Sequence, residues 1–78
     1  MDKQVVDDIQ RIVFKVLQDN RINSSIDFDL TQCEKMDSVN RVAILVAIEN
    51  EYDFIFKLKE ISAWQTVSEL TAIVEKHI

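Results

Sequence analysis

The chain of 78 residues contains no glycine and no proline, a single cysteine and a single histidine, and only 9 basic side chains against 14 acidic ones. Each shortage excludes something. Without glycine, tight two-residue hairpins lose their usual turn formers, and without proline nothing interrupts a helix. Combined with 47% hydrophobic residues, these absences predict an all-α fold. The lone Cys33 cannot close an internal disulfide, which argues against a disulfide-stapled secreted module. A net charge of −5 opposes phosphate backbones and anionic surfaces, so nucleic-acid and membrane-surface binding are disfavoured. No apolar run approaches the roughly 20 residues of a membrane span, and no basic-then-apolar leader opens the chain. The expected location is the cytoplasm, and the expected organisation is one domain over residues 1–78.

What is present is helical period. Val5, Ile9, Ile12, Val13, Val16 and Leu17 recur at three- and four-residue steps, which predicts a first helix over residues 3–18 with Asp2 capping its first turn. From Asn20 to Met36 the period is lost among Asn23, Ser24, Ser25, Asp27, Asp29 and Thr31, which compete with the backbone for hydrogen bonds. This is a long loop, yet Ile22, Ile26, Phe28, Leu30 and Met36 carry enough apolar weight to pin it down. The period returns over residues 38–52, where Leu45, Ile48 and Tyr52 lie along one side, joined by Ile44 and Val42. Leu58 to Ser62 can form one or two turns, and Thr66-Val67-Ser68-Glu69 reads as a capping box that opens a last helix striped by Leu70, Ile73 and Val74. The expected architecture is a small four-helix bundle, with three longer helices, a short third helix and a long loop between helices one and two.

The usual constellations of an enzyme are missing. His77, one residue from the end, suits the last helical carbonyls or solvent better than it suits a base. Cys33 has no second cysteine and no nearby histidine, so its thiol is expected to stay protonated near neutral pH. Asp27, Asp29, Glu34 and Asp37 lack the spacing and the glycine of a calcium loop. Neither catalysis nor a resident metal is expected.

One junction stands apart. Asp37-Ser38-Val39 lies where the long loop meets the second helix, with Asp37 as an N-cap and Ser38 in the first turn. Met36-Asp37-Ser38-Val39-Asn40-Arg41-Val42 resembles the segment around the prosthetic-group serine of the acyl carrier protein family. The similarity continues in register through Ala47-Ile48-Glu49-Asn50-Glu51-Tyr52-Asp53 and to Thr66-Val67 at the start of the last helix. The resemblance implies that Ser38 takes 4′-phosphopantetheine from coenzyme A through a phosphopantetheinyl transferase, which keeps magnesium in its own site. The thiol of that arm then holds an acyl or aminoacyl thioester for loading, condensing and transferring enzymes of fatty-acid, polyketide or related biosynthesis. By the same resemblance Asp37, Val39, Arg41, Val46 and Glu49 are candidates for recognition by the transferase and other partners, in an encounter steered by the chain's negative charge. Ile44, Ala47, Ile48, Ile61 and Trp64 are candidates to line an acyl groove, with plain core packing as the competing reading. A monomer without nucleic-acid or membrane partners is implied.

The sequence also departs from the family pattern. Cys33-Glu34-Lys35-Met36 replaces the usual glycine before the Asp-Ser pair, and Asn40, Arg41 and Ala43 occupy positions that are often acidic or polar in fatty-acid carriers. Lys57 replaces a customary proline, and Trp64 stands where an aliphatic is usual. These differences point to a specialised carrier with dedicated partners. A different class of function is an unmodified helical interaction module using Val39, Val46 and Phe54 as an apolar patch.

Overall fold

Asp2 opens the first helix as expected: its carboxylate accepts the backbone N–H groups of Gln4 at 2.8 Å and Val5 at 3.4 Å. In the computed structural model, which describes residues 1–78, the chain is entirely helical with no strand. Helix α1 (Lys3–Leu17) buries Val5, Ile9, Ile12, Val13 and Leu17. Gln18 ends it in the left-handed region at φ 55°, its N–H donating to the Phe14 carbonyl at 2.7 Å. Glycine normally takes this position, and a residue with a Cβ pays roughly 1–2 kcal/mol there. Only one other residue, Asp53 at φ 58°, shares that conformation.

The connection expected as an uninterrupted loop contains a one-turn helix, α2 (Arg21–Ser24), and a 3₁₀ turn over Leu30–Gln32. Ile22, Leu30 and Cys33 are buried, while Ile26, Phe28 and Met36 are half-buried against the core. Straps from distant residues hold it. The Leu30 N–H donates to the Gln65 carbonyl at 2.8 Å, the Ser68 N–H to the Ile26 carbonyl at 2.9 Å, and the Gln10 amide to the Ile22 carbonyl at 2.7 Å. The glycine absent before Asp37 is not needed, because no residue of this connection takes positive φ.

Helix α3 (Ser38–Tyr52) follows and ends at Asp53. A 3₁₀ turn over Leu58–Glu60 occupies the place of the expected short third helix. Helix α4 (Val67–Glu75) begins with the Thr66 hydroxyl accepting the Glu69 N–H at 3.0 Å. The return half of the capping box is displaced by one residue, since the Glu69 carboxylate takes the N–H of Gln65, at 2.8 Å, and not that of Thr66. Helix α1 is the common partner against which α2, α3 and α4 all pack. The core between them holds 16 buried hydrophobic residues, with Trp64 the largest.

His77 is half-buried and not solvent-facing. Its Nε2 lies 2.8 Å from Glu60 Oε1, and its ring stacks on Phe54 at 4.6 Å, which draws the C-terminus onto the 3₁₀ turn. Across the molecule the Tyr52 hydroxyl donates to Asp8 Oδ2 at 2.6 Å, tying the end of α3 to α1. That hydroxyl, with Gln4 and Arg11 behind it, holds the Asp8 carboxyl below the usual carboxylate range, while burial and Asp8 raise the Tyr52 phenol. Because the folded pKa of Asp8 is depressed, its stabilisation is present above the ordinary carboxylate pKa and lost as pH falls through the folded value. Tyr52→Phe is therefore expected to lower the urea midpoint near neutral pH and to lower it less at about pH 3, below the ordinary carboxylate pKa, where the unfolded chain already takes up the proton. An equal loss at both pH values would show that the hydroxyl acts without the carboxylate.

Candidate functional site

The start of α3 is built from the end of the connection. Asp37 sits in extended backbone, and its Oδ1 accepts the Asn40 N–H at 2.7 Å while its carbonyl accepts the Arg41 N–H at 2.9 Å. The Asn40 side-chain amide reaches back to the Lys35 carbonyl at 2.7 Å, so the incoming chain is clamped to the first turn. Ser38 is the first helical residue, and its side chain is exposed beside this clamp. A hydroxyl held by a capped 15-residue helix is well positioned and open to approach. The free N–H groups and dipole of that terminus favour an anion on the serine.

The residues expected around Ser38 divide. Asp37, Val39 and Val46 are exposed, Val39 by 74% and Val46 by 46%. Arg41 and Glu49 are turned inward, against the expectation that they face a partner. The Arg41 guanidinium lies 4.3 Å from the Trp64 ring centroid, and its Nη1 donates to the Trp64 carbonyl at 3.1 Å. The Glu49 carboxylate accepts the Phe56 N–H at 2.8 Å and so anchors the chain beyond α3. Val42, assigned from its spacing to the buried side, is instead 51% exposed on the same face as Val39 and Val46. Phe54 is half-buried against His77 and contributes no free apolar patch.

Among the groove candidates, Ile44, Ile48 and Trp64 are fully buried, and Ile61 and Ala47 are half-buried against the same core. None of the three surface depressions is lined by Ile44, Ile48, Ile61 or Trp64. Ala47 alone lines one, a groove between α1 and α3 shared with Arg11, Ile12, Lys15, Val16 and Glu51. Ile44, Ile48, Ile61 and Trp64 thus belong to the core, as every apolar helix face packed against a neighbour does. Trp64 retains one irregularity: its indole Nε1 is buried without a hydrogen-bond partner.

Cys33 is 4% exposed, and burial, then the nearby Asp19 carboxylate, pushes its thiol up to about 11. The folded chain is therefore expected to react with iodoacetamide at about pH 8 at least tenfold more slowly than the urea-unfolded chain, since only the thiolate attacks. Equal alkylation rates, read by intact mass, would mean that the connection opens readily. No three His, Cys, Asp or Glu side chains form a group that could hold a metal ion, and no helix is long and apolar enough to cross a membrane.

No protein-family model, curated protein or solved structure compared with the chain matches it. The functional reading thus rests on the residues around Ser38 and on their geometry.

Proposed function

We propose that the chain is an acyl carrier protein whose Ser38 bears 4′-phosphopantetheine. The observation that carries this reading is the exposed Ser38 hydroxyl at the first position of a helix capped by Asp37, within a segment similar to the family's attachment site. In this reading α1, α3 and α4 are the three longer helices of a carrier bundle, and the Leu58–Glu60 turn stands for its short third helix. The surroundings fit a phosphate ester: the helix terminus offers positive potential, and Ser38 is exposed.

Ser38 does no bond-making after it is loaded. Its Oγ forms one bond to phosphorus as the phosphoanhydride of coenzyme A breaks, the nucleotide leaves, and the hydroxyl proton passes to a base of the transferase. Asp37 keeps one carboxylate oxygen on the Asn40 N–H, which fixes where Ser38 stands, and leaves the other oxygen for the transferase or its magnesium. The terminal thiol of the arm supplies thioester chemistry, and partner enzymes do the rest. Loading, condensing and transferring enzymes are the proposed partners, in the cytoplasm and with a monomeric carrier. The exposed valines of α3 also suit an unmodified interaction module. Intact-mass measurement after incubation with coenzyme A, magnesium and a phosphopantetheinyl transferase separates the two, since only a carrier gains mass.

A further inference from the structure

Of the three arginines, Arg41 alone has no carboxylate beside it: Arg11 pairs with Asp8 and Arg21 with Asp19. Its guanidinium lies instead 4.3 Å from the centroid of the Trp64 ring, and Nη1 donates to the Trp64 carbonyl at 3.1 Å. A half-buried cation in a chain of net charge −5 is thus left without a counter-ion, with most of its donors uncommitted. Arg41 stands three residues after Ser38 on α3, and residues so spaced on a helix are neighbours, their Cβ atoms about 5–6 Å apart. Helical side chains also lean toward the N-terminus, a lean that brings Arg41 closer to the serine. The other basic residue within four positions of Ser38, Lys35, is engaged on the Gln18 side chain.

Resting on the carrier reading of Ser38, we infer that Arg41 is the ligand of the phosphodiester: attachment of the arm draws the guanidinium off the Trp64 ring onto the phosphate oxygens and uncovers that face of the indole. The planar fork of a guanidinium matches two phosphate oxygens, a stronger contact than a ring face and one neutral carbonyl. The phosphate also needs a cation there, because Asp37 already places a carboxylate next to Ser38. A phosphate added at a helix start within reach of an arginine forms new charge-assisted hydrogen bonds and rearranges whatever the arginine held before. What Arg41 held is a cover of the core. The unloaded chain keeps Trp64 sealed, and loading opens the way to the largest buried side chain, whose Nε1 donor has no partner within the protein. Opening is therefore coupled to the arm itself, before any cargo rides on it.

Trp64 is the single tryptophan, so the fluorescence of the indole reports the switch without interference. The experiment measures acrylamide quenching of Trp64 before and after loading with coenzyme A, magnesium and a phosphopantetheinyl transferase, in wild type and in Arg41→Gln, with intact mass confirming the arm. Loading is expected to raise the wild-type quenching constant at least about twofold at low salt. About 1 M sodium chloride should reverse at least half of that rise, since the screening length there falls to about 3 Å. In Arg41→Gln the ring is uncovered from the start, so quenching before loading should match the loaded wild type and change by less than about a fifth on loading. Unchanged quenching in the loaded wild type overturns the inference, as does a rise that Arg41→Gln shows equally or that salt leaves intact. The carrier reading stands in each of these cases, because the mass is gained. If circular dichroism shows Arg41→Gln to be unfolded, the wild-type rise and its reversal by salt decide. Absence of loading on the wild type overturns both readings.

Discussion

Incubated with coenzyme A, magnesium and a broad-specificity transferase, the wild-type chain is expected to gain a single phosphopantetheine and Ser38→Ala none. The specificity of this result comes from local structure. The chain has other serines, but the Ser25 hydroxyl accepts the Asp27 N–H at 3.1 Å, Ser24 closes a one-turn helix, and Ser68 is half-buried at the start of α4. Ser62 is exposed but follows the Leu58–Glu60 turn with no helix of its own behind it, so Ser62→Ala should load like wild type. Only Ser38 combines exposure with a capped helix of 15 residues. Its removal should cost little stability, because exposed substitutions away from a cap usually stay within about 0.5 kcal/mol. The cap itself belongs to Asp37. A variant that fails to load and also loses its helical signal would mean that Ser38 is structural. A wild type that gains no mass with several transferases would leave the unmodified interaction module as the reading.

What the sequence made legible was local. The all-helical class, the Asp2 cap and the buried stripe of α1 follow from spacing and side-chain chemistry within a few residues of each other. The Asp37 cap was legible for the same reason. What escaped was decided over longer distances. The turns inside the first connection depend on Gln65 and Ser68, far along the chain, and no periodicity announces such straps. Arg41 reads as a surface cation, but Trp64, 23 residues later, offers both a ring face and a carbonyl. Glu49 likewise finds an N–H seven residues on, at Phe56. Val42 was misplaced because α3 is apolar on two sides, so spacing alone does not say which side faces the core. Its step of three from Val39 and four to Val46 was the available signal.

Replacing Trp64 with alanine is expected to come close to unfolding the protein. The side chain is fully buried and the largest in the core, and truncations of this kind cost about 3–5 kcal/mol. A chain of this length has about 4–12 kcal/mol of stability in all, at roughly 0.05–0.15 kcal/mol per residue. Arg41 would also lose the ring beneath its guanidinium, which lies 4.3 Å from the centroid. Phenylalanine should behave differently. It keeps an aromatic face for Arg41 and removes the indole N–H, whose burial without a partner carries a desolvation cost of about 1–3 kcal/mol. That relief offsets part of the smaller ring's lost packing, so Trp64→Phe should lie within about 1.5 kcal/mol of wild type in urea unfolding. If phenylalanine proved as damaging as alanine, the Nε1 group would have to be satisfied in solution, by water or by a rearranged neighbour. A mild effect of phenylalanine beside a near-complete loss with alanine would establish that position 64 requires aromatic bulk and a surface for Arg41, and that the indole nitrogen itself contributes nothing to folding.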